Sequence, residues 1–118
     1  MATISSHTLD SVDGSHAGGI KVELLRLDIS GTCTRLFVSQ TDPGGRLVEE
    51  VAVTSEHLGA RFEIVFSTGA YFADHPCATF SERILEEVVV RFRIPAIEAK
   101  IHIPLMLSPN SYSVWWSE

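Results

Sequence analysis

Cysteine is scarce: Cys33 and Cys77 are the only two in 118 residues. They lie too far apart for a CxxC pair, so no disulfide framework and no zinc knuckle is encoded. Cationic side chains are also few. Nine Lys and Arg against fifteen Asp and Glu give a formal charge of -6, and the nine are scattered, which argues against the clustered phosphate contacts of a nucleic-acid binder. No stretch approaches the roughly 18 uninterrupted apolar residues of a membrane-spanning helix. The opening MATISSHTLD lacks a basic region followed by an apolar one, which with reduced thiols predicts a cytoplasmic protein. Internal repeats, low-complexity tracts and Pro/Ser-rich linkers are missing too. Short-range His, Cys or carboxylate spacing of the structural-zinc kind does not occur, so neither a metal nor a cofactor is expected.

What is present is the composition of a globule, 45% apolar and 20% charged, in a length that makes one domain, 1–118, burying about two thirds of its unfolded surface. Period-two alternation dominates. It runs through the opening segment Ile4 to Leu9 and through IKVELLRL at 20–27, where Leu25 and Arg26 break the pattern as a β-bulge would. TRLFVSQTDPGGRL predicts a strand from about Thr34 to Gln40 and then a turn at Asp42, Pro43, Gly44 and Gly45, from which Arg46 emerges. RFEIVFS, VVVRFRI, Lys100 to Leu107 and Tyr112 to Trp116 bring the total to about seven strands. Between the middle two, Ser67 or Thr68 can cap one short helix through Tyr71 and Phe72 that stops before Pro76.

Many short strands with turn signals between them indicate a two-sheet sandwich. In KIHIPLMLSP the aliphatic residues Ile101, Ile103, Leu105 and Leu107 share one face, which leaves His102 on the other with Pro104 and Met106. That second face, with Val89, is apolar enough to predict burial against another subunit in a symmetric oligomer.

SHTLDSVDGSHAGGIKVELLRL, TDPGGRL, GAYFADH, VVVRFRIP and IHIPLMLSPNSYS, in that order over nearly the whole chain, resemble the transthyretin-related 5-hydroxyisourate hydrolases. The resemblance implies an all-β transthyretin-like sandwich of two four-stranded sheets with one short helix. It also implies a homotetramer, a dimer of dimers, whose groove between dimers holds a small heterocyclic substrate. His7 in SSHTLD, Arg46 in GGRL and His102 in IHIPL stand where that family has its histidine, arginine and second histidine. These three are the implied catalytic residues.

The family's hydrolases end in Tyr-Arg-Gly-Ser, whereas with Tyr112 and Ser113 kept in register this chain ends Trp115, Trp116, Ser117, Glu118. Loss of that arginine and gain of the Glu118 carboxylate predict a poorer fit for an anionic purine. The two indoles offer flat apolar faces for a planar ring or a cation. Tyr112, Ser113, Trp115, Trp116 and Glu118 are therefore the expected substrate-binding residues. The tryptophans are expected on opposite faces of the last strand, with at most one lining the pocket.

The retained trio suits ring opening by water. A neutral histidine takes a proton from water attacking a cyclic amide or imide carbonyl, and the arginine stabilises the developing oxyanion. Either histidine can be the base. The same groups can also run a proton transfer or cyclisation without water, and the fold can serve as a noncatalytic carrier of a flat ligand or as an interaction module. Alone, each of the three has a plainer reading: His102 a structural histidine, His7 an edge-strand polar residue, Arg46 a solvated side chain. His16 and His57 read as solvated loop residues, His75 as a helix-end residue and Cys77 as a small apolar filler.

Overall fold

A computed structural model describes residues 1–76 and 82–118; Cys77 falls outside them. The first sheet is built on β1 (Ala2–Asp10), whose residues alternate strictly between buried and partly buried. Antiparallel to β1 along one edge run β2 (Ser15–His16) and β5 (Arg46–Val51). Its other edge takes β8 (Lys100–His102) and β9 (Leu105–Ser108), both parallel, and β10 (Ser111–Val114) pairs with β9 antiparallel. Six strands are counted in this sheet, but they fall into four columns, because β2 continues the β5 column and β9 continues that of β8. The expected strand Lys100 to Leu107 is divided at Pro104, which has no N–H to give the ladder. The β5 strand had no clear signal, because Glu49 and Glu50 interrupt its alternation.

The second sheet orders β4 (Cys33–Gln40), β3 (Lys21–Leu27), β6 (Arg61–Phe66) and β7 (Val88–Phe92) side by side, all antiparallel. Its register shifts between Leu24 and Leu25, the bulge that the broken alternation predicts. Ile4, Val22, Leu24, Phe62, Ile64, Phe66, Leu105 and Leu107, from both sheets, are essentially inaccessible to solvent. Truncating any one of these phenylalanines removes about 3–5 kcal/mol of packing.

Helix α1 (Thr68–Ala73) has six residues, far short of what an isolated helix needs. Ser67 occupies its N-cap position without a side-chain cap bond, so the helix is held by other contacts. Phe72 plugs into the core, and Tyr71 donates its hydroxyl to Asp10 Oδ2 at 2.6 Å. Asp10 is itself buried. It accepts the Val12 N–H on Oδ1 at 2.8 Å and bonds His75 Nε2 through Oδ2 at 2.6 Å. Burial and this carboxylate push the Tyr71 hydroxyl up, well above the ordinary phenol.

Two predictions follow from this framework, both read by urea denaturation. Asp10→Ala strips three donors of their acceptor at once and lowers stability by about 3 kcal/mol or more. At Gly45 the φ of +75° is compounded by the Thr8 carbonyl oxygen, which a Cβ would meet at 2.4 Å, so Gly45→Ala costs ~3 kcal/mol or more. Gly31→Ala, with φ +89° but open space around it, costs only about 1–2 kcal/mol. Equal losses at the two glycines would contradict the docking of the turn on β1.

Candidate active site

Alternation in β1 sends Ser6, Thr8 and Asp10 inward and Thr3, Ser5, His7 and Leu9 to the outer face. Residues paired across neighbouring strands share a face, and the register then decides what meets there. His7 is paired with Arg46 on β5, and Ser5 with Val48 on β5 and His102 on β8. The two histidines and the arginine expected from the sequence thus stand on one face, within two rows of each other.

The turn before Arg46 is held by Asp42, whose Oδ1 accepts the N–H groups of Gly44 at 2.9 Å and Arg46 at 2.8 Å. Gly45 presses this turn against β1, its carbonyl accepting the Thr8 N–H at 2.8 Å. The Gly44 carbonyl is thereby set 3.1 Å from His7 Nε2. On the other side of the same nitrogen, 2.9 Å away, lies His16 Nδ1, and the two imidazoles stack with centroids 5.0 Å apart and planes 24° apart. His102 is held through Nδ1, 2.9 Å from the Ser5 hydroxyl.

Partial burial of His7, then the guanidinium of Arg46, then His16, hold the His7 imidazole below its ordinary value, against the opposing pull of the Gly44 carbonyl. His7 is therefore neutral at pH 7, the state a proton acceptor needs.

A cavity of about 350 Å³ is lined by Ser5, Arg46, Val48, Lys100, His102 and Glu118 among others, with His7 not in its lining. Glu118 reaches it because the chain runs on past β10 alongside β8 in the same antiparallel register: Ser117 and His102 exchange backbone bonds, N–H to O, at 2.9 Å in both directions. Of the other expected substrate contacts, Ser113 is paired with Met106 and shares the histidine face, while Tyr112 is paired with Leu107 and shares the opposite one. Trp115 and Trp116 lie beyond the end of β10, where the Trp115 N–H reaches the Pro104 carbonyl at 3.4 Å. Both line a second cavity of about 410 Å³, with Val90, Phe92, Ile101 and Ile103, apart from Arg46 and His102 within this single chain.

Three groups went unrecognised as parts of a site. Ser5 carries its signal in the alternation that also selects His7. His16 reads as a solvated loop histidine until the β1–β2 pairing sets it opposite Leu9. His75 is not a bystander at the helix end: it is buried, bonded to Asp10 and 3.4 Å from Asp13 Oδ2. Among the described residues, Asp10, Asp13 and His75 are the one group of three metal-ligand types within 4.8 Å of each other, and Asp10 already accepts Tyr71 and Val12 besides. No described helix is long and apolar enough to cross a membrane.

Comparison with known proteins agrees with this fold. The model of the HIUase/Transthyretin family matches residues 4–116. The chain is 31% identical over 116 residues to the 5-hydroxyisourate hydrolase of Pseudomonas aeruginosa, covering 98% of this chain and 90% of that protein. Among solved structures, (S)-allantoin synthase superposes with a TM-score of 0.81 at 26% identity, over 99% of this chain and 44% of that one. Transthyretin from Sparus aurata superposes with a TM-score of 0.79 at 23% identity, over 97% and 95%, a likeness of fold. With a family match spanning nearly all its length and a two-sheet sandwich that superposes on transthyretin, this chain belongs to the HIUase/Transthyretin family.

Proposed function

We propose that this protein is a hydroxyisourate hydrolase-like enzyme that opens a cyclic amide or imide ring with water. The observation that carries the reading is the register of β1, which stacks Arg46, His7 and His102 on one face. A neutral histidine takes a proton as the water oxygen bonds to the carbonyl carbon. Arg46 stabilises the negative charge that develops on the carbonyl oxygen. When the tetrahedral species collapses, the ring C–N bond breaks and the nitrogen takes its proton from the imidazolium. No covalent nucleophile and no cofactor enters this sequence.

The substrate is a small heterocycle, 5-hydroxyisourate or a less anionic relative. Glu118 beside Arg46 and His102 in the same cavity supports the second, since a carboxylate there repels an anion and favours a neutral or amine-bearing ring. The assembly proposed is a homotetramer, a dimer of dimers. It is supported by Val89, Met106, Tyr112, Val114, Trp115 and Trp116, all large apolar residues exposed in the single chain, which subunit contacts would cover. The exposed free thiol of Cys33 fits a reducing, cytoplasmic setting.

Freshly generated 5-hydroxyisourate, followed by its ultraviolet absorbance, tests the reaction. The expected outcome is decay faster than the spontaneous rate, cut by about 10²–10⁴-fold in His102→Ala. Decay at the spontaneous rate in wild type and variant alike excludes this substrate and, if neutral cyclic imides also persist, turns the site into a carrier's groove. The specificity reading has its own check. Glu118→Gln raises kcat/KM for anionic 5-hydroxyisourate relative to a neutral cyclic imide; an unchanged ratio means that Glu118 does not select against charge.

A further inference from the structure

Ring opening by His7, His102 and Arg46 makes no demand on His16, yet His16 is the closest side chain to the His7 ring nitrogen. We propose that His16 is a positioning residue that, as a second acceptor beside the Gly44 carbonyl, locks the His7 tautomer with the proton on Nε2 and leaves Nδ1 as the lone pair that accepts a proton. Only what His7 then does with that lone pair rests on the hydrolase reading.

The assignment follows from counting donors and acceptors. The Gly44 carbonyl can only accept, so His7 Nε2, 3.1 Å from it, carries the hydrogen. His16 Nδ1 lies 2.9 Å from that same nitrogen and must therefore present its own lone pair, with its proton on Nε2. One N–H is shared between the two acceptors. The alternative His7 tautomer sets a bare Nε2 against a carbonyl oxygen. Nδ1 of His7 has no hydrogen-bond partner among the described residues, so it is the nitrogen left to act.

The stacking holds the ring in that orientation, with centroids 5.0 Å apart. A second proton on His16, at Nδ1, would point at the N–H of His7 and break the bond. The charged or titratable groups that face His7 are Arg46 from β5, His16 from β2 and His102 from β8; each disfavours a positive charge on it. His16 thus contributes twice, through an acceptor and through its own capacity for charge. His102 lacks this definition, because the Ser5 hydroxyl on its Nδ1 can donate or accept. Of the two histidines, His7 is the one whose basic nitrogen is assigned.

Ring-nitrogen NMR of ¹⁵N-histidine-labelled protein across pH tests this in wild type, His16→Ala and His16→Asn, with the backbone amide spectrum as the control for folding. Wild type is expected to show His7 protonated on Nε2 alone, titrating below its ordinary value. In His16→Ala the Gly44 carbonyl is left as the one acceptor and holds the Nε2 proton less fully, so a fraction of the other His7 tautomer becomes detectable and the midpoint rises; the acid limb of kcat/KM then moves to higher pH and turnover at pH 6 falls several-fold, because only neutral His7 accepts a proton. His16→Asn keeps an acceptor oxygen without the charge: the tautomer stays single while the midpoint still rises. Identical His7 tautomer and midpoint in wild type and His16→Ala overturn the proposal even if both turn over substrate. The predicted ring changes without turnover of any cyclic amide uphold the positioning role and remove the hydrolase reading instead.

Discussion

The register of β1 is the constraint on which the rest depends. A strand has a side-chain period of two, so a slip of one residue would send Ser5 and His7 into the core and bring Ile4 and Ser6 to the surface. Apolar burial alone would resist this, but the inward face is not all apolar. Ser6, Thr8 and Asp10 are buried, and each is satisfied by a fixed partner: Ser6 Oγ donates to the Ile103 carbonyl at 2.7 Å, Thr8 Oγ1 to that of Ala17 at 2.7 Å, and Asp10 receives Tyr71. A slipped register would leave these groups buried and unpaired or strand their partners, at about 1–3 kcal/mol each. The polar interior of β1 therefore specifies where its outer histidine stands. The same hydrogen bonds position β8, the turn and α1 against one strand, so site and fold share a single framework.

The outer face gathers His7, His16, His102, Arg46 and Lys100 on a protein whose formal charge is -6. Glu50, opposite Thr3, and Glu118 lie on the same side and offset Arg46 and Lys100. His7 sits below its ordinary value because it is partly buried and because protonating it must overcome its neighbours, Arg46 the largest charged contributor among them. Keeping imidazole neutral beside a permanently charged guanidinium gives an acceptor and an oxyanion-stabilising donor side by side at neutral pH.

Much of this was legible in the sequence because period-two alternation and turn chemistry are local. The bulge at Leu25, the DPGG turn that delivers Arg46 and the outward face of His102 all follow from a few adjacent residues. The family likeness supplied the pairing of His7, Arg46 and His102, which no local pattern contains. What stayed hidden was non-local or masked by charge. Glu49 and Glu50 concealed β5, although their strand neighbours Leu47 and Val51 are buried. His16 and His75 looked idle because their partners, His7 and Asp10, are reached only once β1 and β2 pair and α1 docks. The last strand ends at Val114 rather than running to Trp116, because Pro104 opposite has no N–H to give the ladder.

The continuation of the chain alongside β8 explains how the end of the sequence can differ so much from Tyr-Arg-Gly-Ser without dismantling the site. Ser117 reaches His102 only through backbone N–H and C=O groups, and such a bridge makes no demand on side-chain identity. The backbone pairing fixes the position of the tail, while the side chains hung on it remain free to vary. Trp115 and Trp116 can fill one apolar cavity while Glu118 enters the other, with His102 held in the same place by Ser5. On the proposed reading, substrate polarity is set by residues carried on a bridge that is indifferent to them, and the proton-handling groups on β1, β5 and β8 are insulated from that change. A site divided in this way can alter what it admits without altering how it moves a proton.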